Sequence, residues 1–173
     1  MKKIRQTLPL LTLPLAALAA GCTSPTAAND SAHELHDMLD RHQITALVDR
    51  LGRALDEGRF DDLRAIYTAD ATAKTPGGTA DGRDALITQA SRNHTDDKQI
   101  QHFISNVIVD LRGDAADVRA NLIAIFGPAA NESIPQPQYT LGEIYRFDAV
   151  RTREGWRLAR VETTPIWSTG TRP

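Results

Sequence analysis

The hydrophobic period of this chain changes once, and the change limits the folds open to it. In the first part, Leu35, Leu39, Ile44, Leu47, Val48, Leu51 and Leu55 read as one helical stripe closed by Gly58. From residue 101 the period falls to two. Gln101 to Leu111, Asp117 to Phe126, Thr140 to Val150 and Trp156 to Trp167 alternate, and they are rich in β-branched and aromatic residues. Gly113-Asp114 turns the first pair and Arg151 to Gly155 joins the second, while Gly127 to Gln138, with three prolines, makes a long loop. Between the halves lie a short helix over Phe60 to Tyr67, a strand beginning at Asp70-Ala71-Thr72-Ala73, a turn at Pro76-Gly77-Gly78 and a third helix over Gly82 to Arg92. Helices first and antiparallel strands after them predict an α+β domain, with helices covering one face of a curved sheet.

The N-terminal residues have a different character. Lys2, Lys3 and Arg5 precede an uncharged run from Leu8 to Ala20, which ends in Leu18-Ala19-Ala20-Gly21-Cys22. A positive start, a short apolar stretch and small residues before a cut site are the marks of a secretory signal. The run of 13 residues falls short of the roughly 20 that a spanning helix needs, and Pro9 and Pro14 interrupt it. Its end resembles the bacterial lipobox, with Ala19 where Leu is commoner. Residues 1–21 are therefore expected to be a signal peptide. Cys22 is expected to carry the lipid, palmitate included, and residues 22–32 to form a flexible tether. The domain then occupies residues 33–169, with 170–173 as a tail. The expected location is the cell envelope, with the protein lipid-anchored on the outer side of a bacterial cytoplasmic membrane.

Cys22 is the only cysteine, so the fold has no intrachain disulfide. Removing Lys2, Lys3 and Arg5 from the 20 basic residues leaves 17 against 22 acidic ones, a charge near −5. That balance argues against nucleic acid as a partner. The chain has no zinc-type spacing, Gly-rich phosphate loop or Gly-x-Ser-x-Gly elbow. His33 and His36 could share a helical face, but they follow the tether, and no metal site is expected there.

A family resemblance spans Asp40 to Trp167. It is carried by Asp40-x-x-x-Ile44-x-x-Leu47, by Leu55-Asp56-Glu57-Gly58-Arg59-Phe60-Asp61-Asp62-Leu63 and by Ile66-Tyr67-x-x-Asp70-Ala71. Further on come Gly82-Arg83-Asp84-Ala85-Leu86, Gln101-His102-Phe103-x-x-Asn106, Gly155-Trp156-Arg157-Leu158 and Trp167. Together these resemble a SnoaL-like domain of the nuclear transport factor 2-like superfamily, in the subset related to scytalone dehydratase. The resemblance implies a cone-shaped barrel, its mostly antiparallel sheet wrapped around three N-terminal helices, with an internal pocket for a small apolar or aromatic molecule and no cofactor. It also implies dimerisation through the sheet face, as in many relatives. In dehydratase-like members an Asp ending the first long helix meets a His on a strand, and the matching positions are Asp56 and His102. An Asn of the dehydratase corresponds to Glu143. The Tyr and the aromatic residue that usually precede the Asp are replaced by Leu55 and Leu51.

The chemistry of such a pair follows from its groups. A carboxylate that accepts from one imidazole nitrogen fixes the tautomer and leaves the other nitrogen as a base. Dehydration, isomerisation or cyclisation would suit it. The alternatives are that Asp56 caps the chain before Gly58 and that His102 satisfies a buried polar group. Glu143, Tyr145 and Phe147 share one side of a strand; if that side is inward, Glu143 joins the catalytic candidates. Tyr67, Asn106, Tyr145 and Trp167 are the expected substrate-binding residues. His94 reads as a surface residue in a polar loop, and Arg119, Arg146 and Arg160 read as solvated or cross-strand partners. The same cone could instead be a non-catalytic ligand-binding lipoprotein or an interaction module.

Overall fold

The structure is a computed structural model and describes residues 25–92, 94–95, 97–129 and 134–171. The expected signal peptide and the lipidation site Cys22 lie outside the described residues. One long helix, α1 (Pro25–Asp56), is followed by a 3-10 turn (Phe60–Ala65), β1 (Tyr67–Thr75), β2 (Gly78–Asp81) and α2 (Arg83–Ser91). Four long strands complete the domain: β3 (Lys98–Arg112), β4 (Ala115–Pro128), β5 (Tyr139–Thr152) and β6 (Gly155–Gly170). All six strands form one sheet in the order β2-β1-β6-β5-β4-β3. Every pairing is antiparallel except β1 with β6.

The α+β cone is therefore present, with two corrections to its expected form. The sheet is open, because β2 and β3 are edges that do not pair with each other. The third helix, α2, stands where the sequence placed it, before the four long strands, and packs on β1 and β2. The segment expected as a helix to Tyr67 is a 3-10 turn, and Tyr67 opens β1.

The core stripe of α1 consists of Ile44, Leu47, Val48, Leu51 and Ala54, all buried against the sheet. Leu35 and Leu39 do not belong to it; both are exposed. The step from Leu39 to Ile44 is five residues, and at 100° per residue it turns the upstream leucines to the far side of the helix. The expected tether also changes character, since helix runs from Pro25 without a break. Proline is tolerated in a first helical turn, and the alanines that follow favour helix.

Facing α1, the sheet presents Val109, Val118, Ala120, Leu122, Ala124, Phe147, Leu158 and Val161. Register shifts between Ser105 and Ile108 and between Gly142 and Glu143 bend the sheet. Asp40 fixes the buried half of α1, residues 40–56, at the end away from Asp56. Its carboxylate accepts from the Trp156 indole N–H at 3.0 Å and from the Arg151 guanidinium, while Arg151 also lies 4.6 Å over the Trp156 ring. Burial alone would raise the Asp40 carboxyl, but the Arg151 and Trp156 hydrogen bonds outweigh it and hold the group below the ordinary carboxylate range.

A depressed folded-state value means that Asp40 stabilises the fold above the unfolded carboxylate range near pH 4 and that this contribution is lost as pH falls through the folded value. Asp40→Ala should cost on the order of 2–3 kcal/mol in a urea melt at neutral pH, and its deficit relative to wild type should shrink in acid.

Candidate active site

A cavity of about 180 Å³ opens between α1, α2 and the hollow face of the sheet. Its walls are mostly apolar: Leu51, Leu55, Leu63, Leu86, Ile100, Leu122, Phe126 and Leu141 contribute. The polar lining comes from His102, His94, Glu143, Tyr67, Tyr145, Gln89, Thr75 and Thr163. Among the described residues, no Lys or Arg lines it.

Asp56 is the last residue of α1, and His102 points inward from β3. The structure brings them together. One Asp56 oxygen, Oδ1, accepts from the His102 backbone N–H at 2.8 Å and lies 2.7 Å from ring Nδ1. A carboxylate in that place requires the hydrogen on Nδ1. His102 also lines the cavity, whereas Asp56 does not, so the free edge of the ring is the one offered to a ligand. Asp56 instead faces shallow grooves outside the cavity wall. The helix end that sets this geometry is local. Gly58 takes φ 64°, and the Arg59 N–H closes on the Ala54 carbonyl at 2.9 Å.

Glu143 and Tyr145 point inward from β5, both buried. Tyr67 stands at the start of β1, also buried and in the wall. Burial pushes both phenols well above the ordinary value; the Glu143 and Asp56 charges push Tyr145 further, and Tyr145 adds to the effect on Tyr67. Both therefore remain neutral hydrogen-bond donors. Leu51 and Leu55 also line the cavity. The phenols here come from the opposite wall.

Two expected binding residues are elsewhere. Asn106 is exposed in the β3 bulge at φ 54° and does not line the cavity. The bulge spends one residue, so inward positions run 100, 102, 104 and then 107, 109, 111. Trp167 lies on the outer face, where a Cβ on Gly142 would stand 2.2 Å from its ring. The irregular step that pairs Gly142 with Trp167 and Glu143 with Pro165 puts it there.

Three wall residues went unanticipated. His94 packs edge-on against Phe60, with centroids 5.1 Å apart at 83°, and sits over Gly58. Gln89 donates to Thr75 Oγ1 at 2.9 Å and to the Gly78 carbonyl at 3.0 Å, clamping the β1–β2 turn to α2. Its place on the face of α2 that carries Leu86 and Ala90 was the available signal. Thr163 lies opposite Tyr145 on β6. For His94 and Thr163 no local sequence signal existed.

Comparison with known proteins places this geometry in context. A family model described as a SnoaL-like domain matches residues 36–162. Uncharacterised proteins of Mycobacterium tuberculosis and Mycobacterium bovis are 34% identical over 130 residues, covering 73% of this chain and 86% of theirs. Among solved structures, LinA gives a TM-score of 0.69 at 16% identity, covering 80% of this chain and 93% of that one. A second LinA structure is described as a hexachlorocyclohexane dehydrochlorinase, with TM-score 0.68, 16% identity and coverage of 81% and 97%. A candidate scytalone dehydratase from Novosphingobium aromaticivorans gives 0.67 at 22% identity, covering 83% and 93%. At these identities the structural likeness shows the fold.

Two outcomes follow from the site. Asp56→Ala should release the His102 ring, and ¹⁵N NMR should show loss of the Nδ1–H tautomer. Because Tyr67 and Tyr145 are raised, ionisation is easier in the unfolded chain. Their contribution to stability is full below about pH 10 and falls as pH rises beyond it. Ultraviolet titration should show both phenols still neutral in the folded protein at about pH 11.

Proposed function

The chain belongs to the SnoaL-like domain family, and on that premise we propose that it is a membrane-tethered, cofactor-independent acid/base catalyst for a small neutral hydrophobic molecule. The observation that carries the proposal is the 2.7 Å contact of Asp56 with His102 Nδ1, made while His102 also borders the cavity. Asp56 orients the ring and stabilises the imidazolium that forms. His102 Nε2 takes a proton from a carbon activated by a neighbouring carbonyl or leaving group. Tyr145, kept neutral, donates a hydrogen bond to the oxygen or leaving group on which negative charge develops. Among the described residues no Lys or Arg lines the cavity, which leaves a carboxylate or phosphate ligand without a permanent countercharge. Proton removal followed by loss of a β-substituent is dehydration or dehydrohalogenation; without a leaving group, return of the proton from the His102 imidazolium to a different carbon is isomerisation. The LinA neighbour, described as a dehydrochlorinase, supports the first outcome.

The tether rests on Leu18-Ala19-Ala20-Gly21-Cys22. It localises the cavity where lipophilic molecules partition. Radioactive palmitate should label the wild-type chain and not Cys22→Ala.

The catalytic step can be read without knowing the leaving group. A panel of neutral cyclic ketones and β-hydroxy or β-halo compounds is incubated in D₂O, and deuterium uptake at the acidic carbon is followed by NMR. His102→Gln should slow exchange by on the order of 10²–10⁴-fold while ligand-induced thermal stabilisation persists. A ligand that binds but exchanges equally with wild type and His102→Gln would overturn catalysis and leave a non-catalytic binding lipoprotein.

Self-association is favoured by a separate observation. Phe103, Ile123, Gly142 and Trp167 stand in register across the outer face of β3 to β6, with Phe103 50% and Trp167 47% exposed. A continuous apolar row of this kind suits a second copy of the same face. Phe103→Lys should shift the sedimentation profile from dimer to monomer.

A further inference from the structure

The arm of α1 upstream of Asp40 carries an apolar stripe that touches nothing else in the domain. Leu35 is 58% exposed, Met38 67% and Leu39 49%. Their spacing of three and four residues places them together, about 180° around the helix from the core stripe of Ile44, Leu47, Val48 and Leu51. Asp30 and Asp37 fall on the other side of the arm and Glu34 flanks the stripe beside Met38; all three are exposed. The arm is thus amphipathic in its own right, in a phase opposite to that of the rest of α1.

The place where the chain begins this arm points to what covers it. Pro25, the first described residue of the helix, stands three residues after Cys22. Three extended residues reach at most about 10 Å, and Leu35 lies about 15 Å along the helix from Pro25. An acyl group on Cys22 would therefore hold the stripe within one short helix length of the lipid. Among the described residues, no helix is long and apolar enough to cross a membrane, so the arm suits the surface and not the interior.

We infer that residues 25–39 form a membrane-surface helix that lies flat in the lipid interface with Leu35, Met38 and Leu39 inserted. The inference rests on the lipid-anchor proposal above. Asp30 and Asp37 then face water, with Glu34 at the edge of the interface. The arm carries no Lys or Arg, so its attachment comes from apolar insertion next to the acyl anchor and does not need anionic lipid. Because α1 runs unbroken from Pro25 to Asp56, a flat arm lays the whole helix axis along the membrane and turns the sheet toward the solvent side.

The test uses the full lipidated chain. With Cys22 acylated, an introduced cysteine is the single free thiol, so Met38→Cys and Asp37→Cys can each carry an environment-sensitive fluorophore in phosphatidylcholine vesicles. Mass spectrometry of the N-terminus reads acylation in the same samples. The expected result is a blue-shifted label at 38, quenched by aqueous iodide several-fold less than the label at 37, and unchanged when phosphatidylglycerol is added. Adding Leu35→Glu and Leu39→Glu should abolish the difference while circular dichroism remains that of the folded domain. An acylated chain with equal quenching at both positions overturns the surface helix and leaves the anchor intact. Protection that rises with protein-to-lipid ratio, together with energy transfer between copies, overturns it in favour of paired arms. A mature chain without an acyl group overturns both.

Discussion

The Asp56 carboxylate is shared between the backbone N–H and the ring of His102, so the last turn of α1 and the inward row of β3 cannot move independently. The opposite end of the buried helix is held in the same way, by Asp40 between the Trp156 indole and the Arg151 guanidinium. Between these two carboxylates lies a largely apolar contact, to which Arg41 adds a hydrogen bond to the Val109 carbonyl; apolar burial excludes water but has no direction. The hydrogen bonds supply the direction: they set where α1 sits along the sheet and therefore where its end meets the cavity.

The chemistry of the cavity follows from that placement. Titratable groups are few and stand in an apolar wall, so each one is altered or oriented by its neighbours. His102 is oriented by Asp56, and Tyr145 is kept neutral by burial and by Glu143. A base with one free nitrogen and a donor that does not ionise are complementary tools for moving a proton off carbon. Leucines at 51 and 55 leave the helix side of the cavity without a phenol, and the donors are instead on β1 and β5. Polar groups can thus stand on different walls of one fold, which is why the fold alone does not specify a substrate.

Outside the cavity, two surfaces among the described residues carry clustered exposed apolar groups. One is the outer sheet row of Phe103, Ile123 and Trp167; the other is the far side of the α1 arm. The curved sheet wraps one side of α1, so these surfaces face different ways, and one need not compete with the other for a partner.

The change of hydrophobic period determined the α+β class, the four long strands and the hairpins at Gly113 and Gly155, because period two and period 3.6 are properties of the backbone that side-chain order must match. The family resemblance made Asp56 and His102 candidates, and the alternation put Glu143, Tyr145 and Phe147 on one side of β5. Sequence could not decide the phase across irregular steps. One extra residue in β3 moved Asn106 out of the site, an irregular pairing placed Trp167 on the outer face, and a five-residue step turned Leu35 and Leu39 away from the core. Each is a single-residue change of register, and only the packing of the whole sheet against α1 fixes which face such a residue finds. His94 and Thr163 reached the cavity wall for a related reason. A loop histidine and a strand threonine carry no local mark of what they will face, because their neighbours come from segments far away in the chain and are assembled only by the tertiary fold.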